Sequence, residues 1–169
     1  MKEYLLVDGY NIIHAWPDLQ KIKEESLEHA RDKLVEQMIN YAARSGEHVI
    51  VVFDAHQVKN SLAHSEVVAG VEIYYTAEGE TADAVIERMA GELKDKGRVH
   101  VATSDAAEQT IILGRGAYRM TPGELKKRLQ SVQKDTQRFY QTDLPAERYL
   151  ENRLVDNIRQ RLEQMRRGQ

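Results

Sequence analysis

The sequence contains no cysteine among its 169 residues. Disulfide bonds, thiolate zinc sites and cysteine nucleophiles are therefore excluded, and the composition fits a reducing compartment. No run approaches the roughly 18 to 20 apolar residues that a membrane-spanning helix needs. The N-terminal segment also lacks the apolar stretch and small-residue cleavage site of a secretory signal. We therefore expect a soluble, cytoplasmic protein that has no membrane partner.

Several motifs of nucleotide binding and hydrolysis are missing as well. The sequence has no GxxxxGK[ST] phosphate-binding loop and no GxSxG nucleophile elbow. Gly114-Arg115-Gly116 follows a predicted helix rather than a strand, and no third glycine comes at the spacing of a dinucleotide fingerprint. We therefore expect no nucleotide cofactor and no serine nucleophile.

The charges are unevenly distributed along an otherwise ordinary globular composition of 41% hydrophobic and 30% charged residues. Residues 1–114 hold 11 Lys+Arg and 20 Asp+Glu, a net charge of −9, whereas residues 115–169 hold 13 and 7, a net charge of +6. This division favours a polyanionic partner that is contacted through the C-terminal third. Solvated, Arg-rich helices that bind nothing explain the division equally well.

Apolar residues follow strand and helix periods in alternation. Short apolar runs predict strands at residues 4–7, 48–53, 71–75, 99–102 and 117–120. Three- and four-residue spacing predicts helices from 27 to the stop at Gly46 and at 85–93. Capping signals at Asp105 and at Thr121-Pro122-Gly123-Glu124 predict helices at 106–113 and 121–140, and a last helix is expected at about 146–166, after Pro145. The polar stretch 54–66 is predicted to be a loop, with His56 and His64 exposed. The alternation implies an α/β fold in which helices flank a parallel sheet.

Four aspartates fall where such a fold would bind a ligand. Asp8, Asp54 and Asp105 follow predicted strands, and Asp83 opens the helix before the fourth strand. Ligands of an open parallel sheet bind beyond the carboxyl ends of its strands, so these side chains should share one edge. Any one of them, taken alone, is better explained by helix capping or turn chemistry.

A cluster of such carboxylates requires a cation. Two carboxylates ~5 Å apart repel by roughly 3 kcal/mol at an effective dielectric constant near 20. Oxygen ligands without cysteine favour Mg²⁺ or Mn²⁺ over zinc. A metal site of this kind suits phosphoryl chemistry, because the ion lowers the pKa of a bound water and offsets charge on the leaving oxygen.

Three segments carry a resemblance to a known family: Leu5–Ile13 (LLVDGYNII), Gly79–Asp83 (GETAD) and Thr103–Asp105 (TSD). In order and spacing they resemble the bacterial YacP-like subgroup of the NYN domains, a branch of the PIN-like nucleases, and the likeness spans nearly the whole chain. The resemblance implies a PIN-like NYN nuclease domain at residues 1–121. Residues 122–169 would be a basic helical extension packed on that domain.

The resemblance also implies an endoribonuclease that uses Mg²⁺ or Mn²⁺ and cleaves mRNA in association with the translating ribosome. Asp8, Asp83 and Asp105 would be the catalytic residues and metal ligands. Glu80 is expected as a further ligand, with Asp54 and Glu108 as alternatives for the fourth acid. Asn11, Ser104 and Asp54 are expected to contact substrate or support the ligands.

The basic extension is expected to bind the backbone of RNA or ribosomal RNA. Its candidate contacts are Lys126, Lys127, Arg128, Arg153, Arg159, Arg161, Arg166 and Arg167. A non-catalytic RNA- or ribosome-binding module, in which the acids merely cap helices, remains the alternative. A DNA-directed nuclease of the same superfamily is a third possibility.

Overall fold

The structure, a computed structural model, describes residues 1–55, 62–114, 116–142 and 158–168, with backbone alone at residues 136 and 138–142. It divides into two compact units, Met1–Val132 and Gln133–Gln169. The first unit contains the sheet and every candidate carboxylate of the site. Within the described ranges, no helix is both long enough and apolar enough to span a membrane.

A six-stranded sheet forms the centre of the first unit. Its strands are β1 (Lys2–Asp8), β2 (His48–Phe53), β3 (His64–Val68), β4 (Val71–Tyr75), β5 (Gly97–Ala102) and β6 (Tyr118–Met120). They lie in the order β3-β4-β2-β1-β5-β6, and every neighbouring pair is parallel except the antiparallel pair β3 and β4. Because β1 lies between two parallel neighbours and is buried on both faces, its sequence is a continuous apolar run.

Helices cover both faces of this sheet. They are α1 (Gly9–Ala15), α2 (Pro17–Glu25), α3 (Leu27–Ser45), α4 (Ala82–Leu93), α5 (Ala106–Gly114) and α6 (Pro122–Thr142). One core cluster joins the sheet to α1, α2, α3 and the start of α6, and the other joins it to α4 and α5. The predicted α/β fold, a largely parallel sheet between helical layers, is confirmed.

The predicted start of α6 is formed by reciprocal hydrogen bonds. The backbone N–H of Glu124 donates to Thr121 Oγ1 at 3.1 Å, and the backbone N–H of Thr121 donates to Glu124 Oε2 at 3.2 Å. These bonds satisfy two amides that a helix otherwise leaves unpaired. The indole N–H of Trp16 also donates to the Pro122 carbonyl at 2.9 Å, which ties the start of α6 to the α1–α2 corner.

The main correction concerns the stretch 54–66, for which the sequence predicts a loop. His64 belongs instead to β3, the edge strand that pairs with β4, whereas His56 lies outside the described residues. All five residues of β3 are exposed, so the strand lacks the alternation of apolar and polar residues that indicates a half-buried strand. Ala69 and Gly70, both at positive φ, make the tight turn that joins β3 to β4.

The sequence did not predict α1 and α2, and only part of the predicted C-terminal helix lies within the described residues. The expected start of that last helix, near residue 146, lies outside the described residues, and residues 158–167 are helical. The short helix α1 begins directly after Asp8, at Gly9. A Cβ atom at Gly9 would lie 2.4 Å from the Phe53 ring, so the close approach of α1 to β2 requires glycine there.

We therefore expect Gly9→Ala to lower the free energy of unfolding by about 2 kcal/mol, because the buried Phe53 ring must move to admit the methyl group. Urea denaturation measures the change. Gly91→Ala is the matched control, since no atom lies within 4 Å of a Cβ in that interior position of α4. The control should gain about 0.5–1 kcal/mol. Equal stability of the two variants would contradict the packing assigned to Gly9.

Candidate metal centre

Three carboxylates converge at the carboxyl edge of the sheet. Asp8 ends β1, Asp83 lies in the first turn of α4, and Glu108 lies in the first turn of α5. One oxygen atom from each side chain lies within 4.8 Å of the other two. Asp8 and Glu108 are buried and Asp83 is exposed, so the cluster opens to solvent on one side.

Strand alternation explains why Asp8 faces the two helices that carry its partners. Leu6 packs in the core cluster of α4 and α5, whereas Val7 packs in the cluster of α1 and α3. Successive side chains point to opposite faces, so Asp8 shares the face of Leu6. The local sequence of β1 thus directs the carboxylate toward α4 and α5.

Burial and mutual repulsion disfavour the charged forms of two of these carboxyl groups. The pKa of Asp8 is raised to about 7, first by burial and then by the charge of Asp83, with smaller effects of Asp54 and Asp105. The nearby backbone amide of Asn11 acts in the opposite direction. The pKa of Glu108 is likewise raised, to about 8, chiefly by burial; the hydrogen bond from Thr103 opposes the shift, and the charges of Asp8 and Asp83 add to it. A bound divalent cation would reverse these shifts.

Glu108 is held by the segment that follows β5. Thr103 Oγ1 donates a hydrogen bond of 2.8 Å to Glu108 Oε2, and Gln109 fixes the same turn by donating from Nε2 to the Thr103 carbonyl at 2.7 Å. The second oxygen, Glu108 Oε1, is buried and has no hydrogen-bond partner among the described residues. Because an unsatisfied buried oxygen is costly, the donor set fits a hard, oxygen-preferring cation.

Asp105 caps the helix that carries Glu108. Its Oδ1 accepts hydrogen bonds from the backbone N–H groups of Ala107 at 2.9 Å and Glu108 at 3.3 Å, at the start of α5. It is not one of the three converging carboxylates, although its charge reaches Asp8. Asp105 therefore orients the first turn of α5, and its expected role as a ligand stays a prediction.

Glu80 is engaged elsewhere. Its Oε1 accepts hydrogen bonds from the Tyr74 hydroxyl and the Ala77 N–H, both at 3.2 Å, and its Oε2 forms an ion pair of 3.3 Å with Arg88. The three-carboxylate group does not include it. Of the three alternatives for the fourth acid, Glu108 is the one that the structure brings to Asp8 and Asp83.

Asp54, Asn11 and Ser104 connect the elements that carry the cluster. Asp54 Oδ2 accepts from the Ala82 N–H at 3.4 Å, which joins the end of β2 to the start of α4, one residue before Asp83. Asn11 Oδ1 accepts from the Ser104 N–H at 2.9 Å and from the Ser104 hydroxyl. These bonds join α1 to the turn before α5, so the predicted supporting residues lie beside the cluster.

The predicted RNA contacts differ in their surroundings. Lys126 forms an ion pair with Asp18 at 3.2 Å, and Arg128 forms one with Glu47 at 3.4 Å, whereas Lys127 is exposed. Of the predicted contacts that the structure describes in the second unit, Arg159, Arg161, Arg166 and Arg167 are exposed. Arg153 lies outside the described residues.

Comparison with known proteins assigns this arrangement to a class. Residues 5–167 match the YacP-like NYN domain family, so the chain belongs to that family, whose fold is of a nuclease type. The family is consistent with an RNase-type nuclease and suggests RNA as the substrate, and the acidic cluster could bind a divalent metal.

Particular relatives support the assignment. The chain is 44% identical over 137 residues to the uncharacterized protein YacP of Bacillus subtilis, a match that covers 80% of each chain. The crystal structure of Rae1 (YacP) from Bacillus subtilis is 40% identical, with a TM-score of 0.76 over 98% of this chain and 95% of that one. A mutant of the same protein gives a TM-score of 0.70 at 42% identity, over 82% and 80%.

The raised pKa of Asp8 predicts a pH-dependent stability in the presence of a chelator. The folded state binds the Asp8 proton more tightly than the unfolded state, so its contribution to stability falls as pH rises from about 4 to 7. Relative to the wild type, Asp8→Asn should therefore gain about 1–3 kcal/mol between pH 4 and pH 8. Urea denaturation across this pH range measures the difference, and a difference independent of pH would contradict the assignment.

Proposed function

We propose that this protein is a divalent-metal-dependent endoribonuclease that hydrolyses RNA phosphodiester bonds. The observation that carries the proposal is the convergence of Asp8, Asp83 and Glu108, with a buried, unpartnered oxygen on Glu108 among the described residues. Membership of the YacP-like NYN domain family supports the same reaction class.

The chain's own residues define where the reaction would take place. Asp8, Asp83 and Glu108 would hold Mg²⁺ or Mn²⁺, with Asp105 as a further predicted ligand and catalytic residue. When bound, such an ion lowers the pKa of water and offsets charge on a leaving oxygen. The exposure of Asp83 leaves the cluster open to a substrate phosphate. Thr103 and the Asp105 cap would hold Glu108 in place while the phosphate binds.

The substrate and its setting are part of the same proposal. The family suggests RNA, and the proposed substrate is mRNA in association with the translating ribosome, in the cytoplasm. The exposed arginines of residues 158–167, together with Lys127, would contact phosphates of the RNA backbone. The domain division proposed from the sequence, residues 1–121 for catalysis and 122–169 for RNA contact, belongs to this proposal.

Asp8→Asn should reduce cleavage of an mRNA in a translation reaction by at least about 100-fold, because it removes a buried carboxylate from the cluster. Wild-type activity should disappear with EDTA and return with Mg²⁺ or Mn²⁺. Asp95→Asn is the matched control, since Asp95 is an exposed aspartate beyond the other end of α4 and should leave the rate unchanged. Cleavage products are read by primer extension on the translated mRNA.

Unchanged cleavage by Asp8→Asn, or turnover that resists the chelator, would contradict the proposed mechanism. A protein that binds RNA but never cleaves it would indicate the non-catalytic binding module instead. In the same assay, Glu108→Gln and Glu80→Gln distinguish two of the three alternatives for the fourth acid. The larger loss, accompanied by a higher metal concentration for half-maximal activity, should fall on Glu108.

Neutralising exposed cations of residues 158–167 should flatten the salt dependence of RNA binding. Arg166→Gln combined with Arg167→Gln is expected to reduce the slope of log affinity against log salt by about one unit for each phosphate that is no longer bound. Lys94→Gln combined with Lys96→Gln removes the same charge from an exposed turn of the first unit and is the control. Fluorescence anisotropy with labelled RNA measures the slopes. Equal slopes for both double variants would exclude this segment as a phosphate-binding surface.

A further inference from the structure

Three nearly parallel aromatic rings form a column at the β2, β4 and β3 side of the sheet. The Phe53 and Tyr75 ring centroids are 5.8 Å apart with an interplanar angle of 26°, and those of Tyr75 and His64 are 4.8 Å apart at 17°. Phe53 is fully buried, Tyr75 is partly buried and His64 is exposed. The column therefore runs from the core to the surface and ends in an exposed ring.

Two contacts fix the orientation of that last ring. His64 lies opposite Tyr75 in the antiparallel register of β3 and β4. Its Nδ1 is 3.1 Å from the Leu62 carbonyl oxygen, a distance at which the Nδ1–H tautomer donates a hydrogen bond. A ring that is already oriented by a strand pair and a hydrogen bond loses little freedom when a second ring stacks on it.

The column lies at the same end of the sheet as the carboxylate cluster, where the parallel strands reach their carboxyl ends. Phe53 and Tyr75 are the last residues of the parallel strands β2 and β4, as Asp8 is of β1. Phe53 packs with Val7 rather than Leu6, so the column occupies the sheet face opposite Asp8. Because β3 is three strands from β1, the two sites are separated by about 14 Å across the sheet. A single strand of RNA lying across this edge would meet both.

The charges around the column favour a planar, uncharged group over a phosphate. Arg31 Nη1 donates to the Tyr10 hydroxyl at 3.1 Å, and the Tyr10 ring lies 5.2 Å from Phe53. Glu66 and Asp32 are close enough to act electrostatically on Tyr75. Among the described residues, one arginine beside acids makes a poor phosphate site, whereas stacking of bases on aromatic rings does not depend on net positive charge.

We propose that the Phe53–Tyr75–His64 column is a stacking subsite for an unpaired base of the RNA substrate, which lies on the exposed face of His64. The inference rests on the proposed nuclease function and extends it. It assigns the recognition of a single-stranded region near the cleaved phosphate to β3. A base held in a duplex could not present its face to this ring, so the subsite selects unpaired RNA.

Binding of an unstructured, fluorescently labelled 12-nucleotide RNA to the full-length protein in EDTA tests the subsite without cleavage. His64→Ala should weaken binding about 10-fold, and the loss should persist in 0.5 M salt because stacking is not screened. His64→Phe keeps an aromatic ring and should bind within about twofold of the wild type. Tyr118→Ala is the matched control, because Tyr118 is also an exposed ring stacked on a histidine, on the opposite edge strand. It should bind like the wild type.

A second set of RNAs, each with 2-aminopurine at one position, reports stacking directly. At one position or more, fluorescence should be quenched by the wild type and His64→Phe but not by His64→Ala. Wild-type binding by His64→Ala, or equal weakness of His64→Ala and His64→Phe at unchanged melting temperatures, would overturn the subsite. Metal-dependent cleavage is assayed separately. Chelator-sensitive cleavage with no effect of His64→Ala refutes the subsite alone, whereas absent cleavage refutes the proposed nuclease function.

Discussion

Repulsion among carboxylates that are packed against the end of a parallel sheet is the constraint on which the site depends. Asp8 and Glu108 are buried beside the exposed Asp83, and the pKa values of the two buried groups rise as a result. The three carboxylates stay close together despite this repulsion because hydrogen bonds from several helices and strands hold the elements that carry them. The folded chain therefore favours the binding of positive charge at one point of its surface.

The hydrogen bonds around the cluster come from elements that are distant in sequence. Asp54 joins β2 to the start of α4, and Asn11 joins α1 to the turn before α5. Thr103 and Asp105 then fix the first turn of α5, on which Glu108 lies. These residues position the three carboxylates but are not among them. Acidic residues therefore occur both in the cluster and beside it, where they hold its elements in place.

At the carboxyl end of the strands, the two faces of the sheet present different side chains. The face of α4 and α5 has the carboxylates, and the face of α1 and α3 has the aromatic column that begins at Phe53. Gly9 lies between the carboxylates and the aromatic column, because it follows Asp8 in the chain and packs against the Phe53 ring. The proposed sites for a metal and for a base therefore depend on the same strand ends, which would allow one RNA strand to contact both.

The amino-acid sequence by itself determined the α/β class, the positions of the predicted strands, and Asp8 and Asp83 as members of an acidic edge, because apolar periodicity and strand-end aspartates are local signals. It could not decide between Glu80, Asp54 and Glu108. Glu80 is paired with Arg88 and Asp105 caps α5, both through local contacts. The approach of Glu108 to Asp8 and Asp83, in contrast, depends on how α4 and α5 pack against β1. Nor did it show β3, since an exposed edge strand has no apolar pattern. Periodicity reports burial within one element, whereas the distance between side chains of different elements is set by tertiary packing.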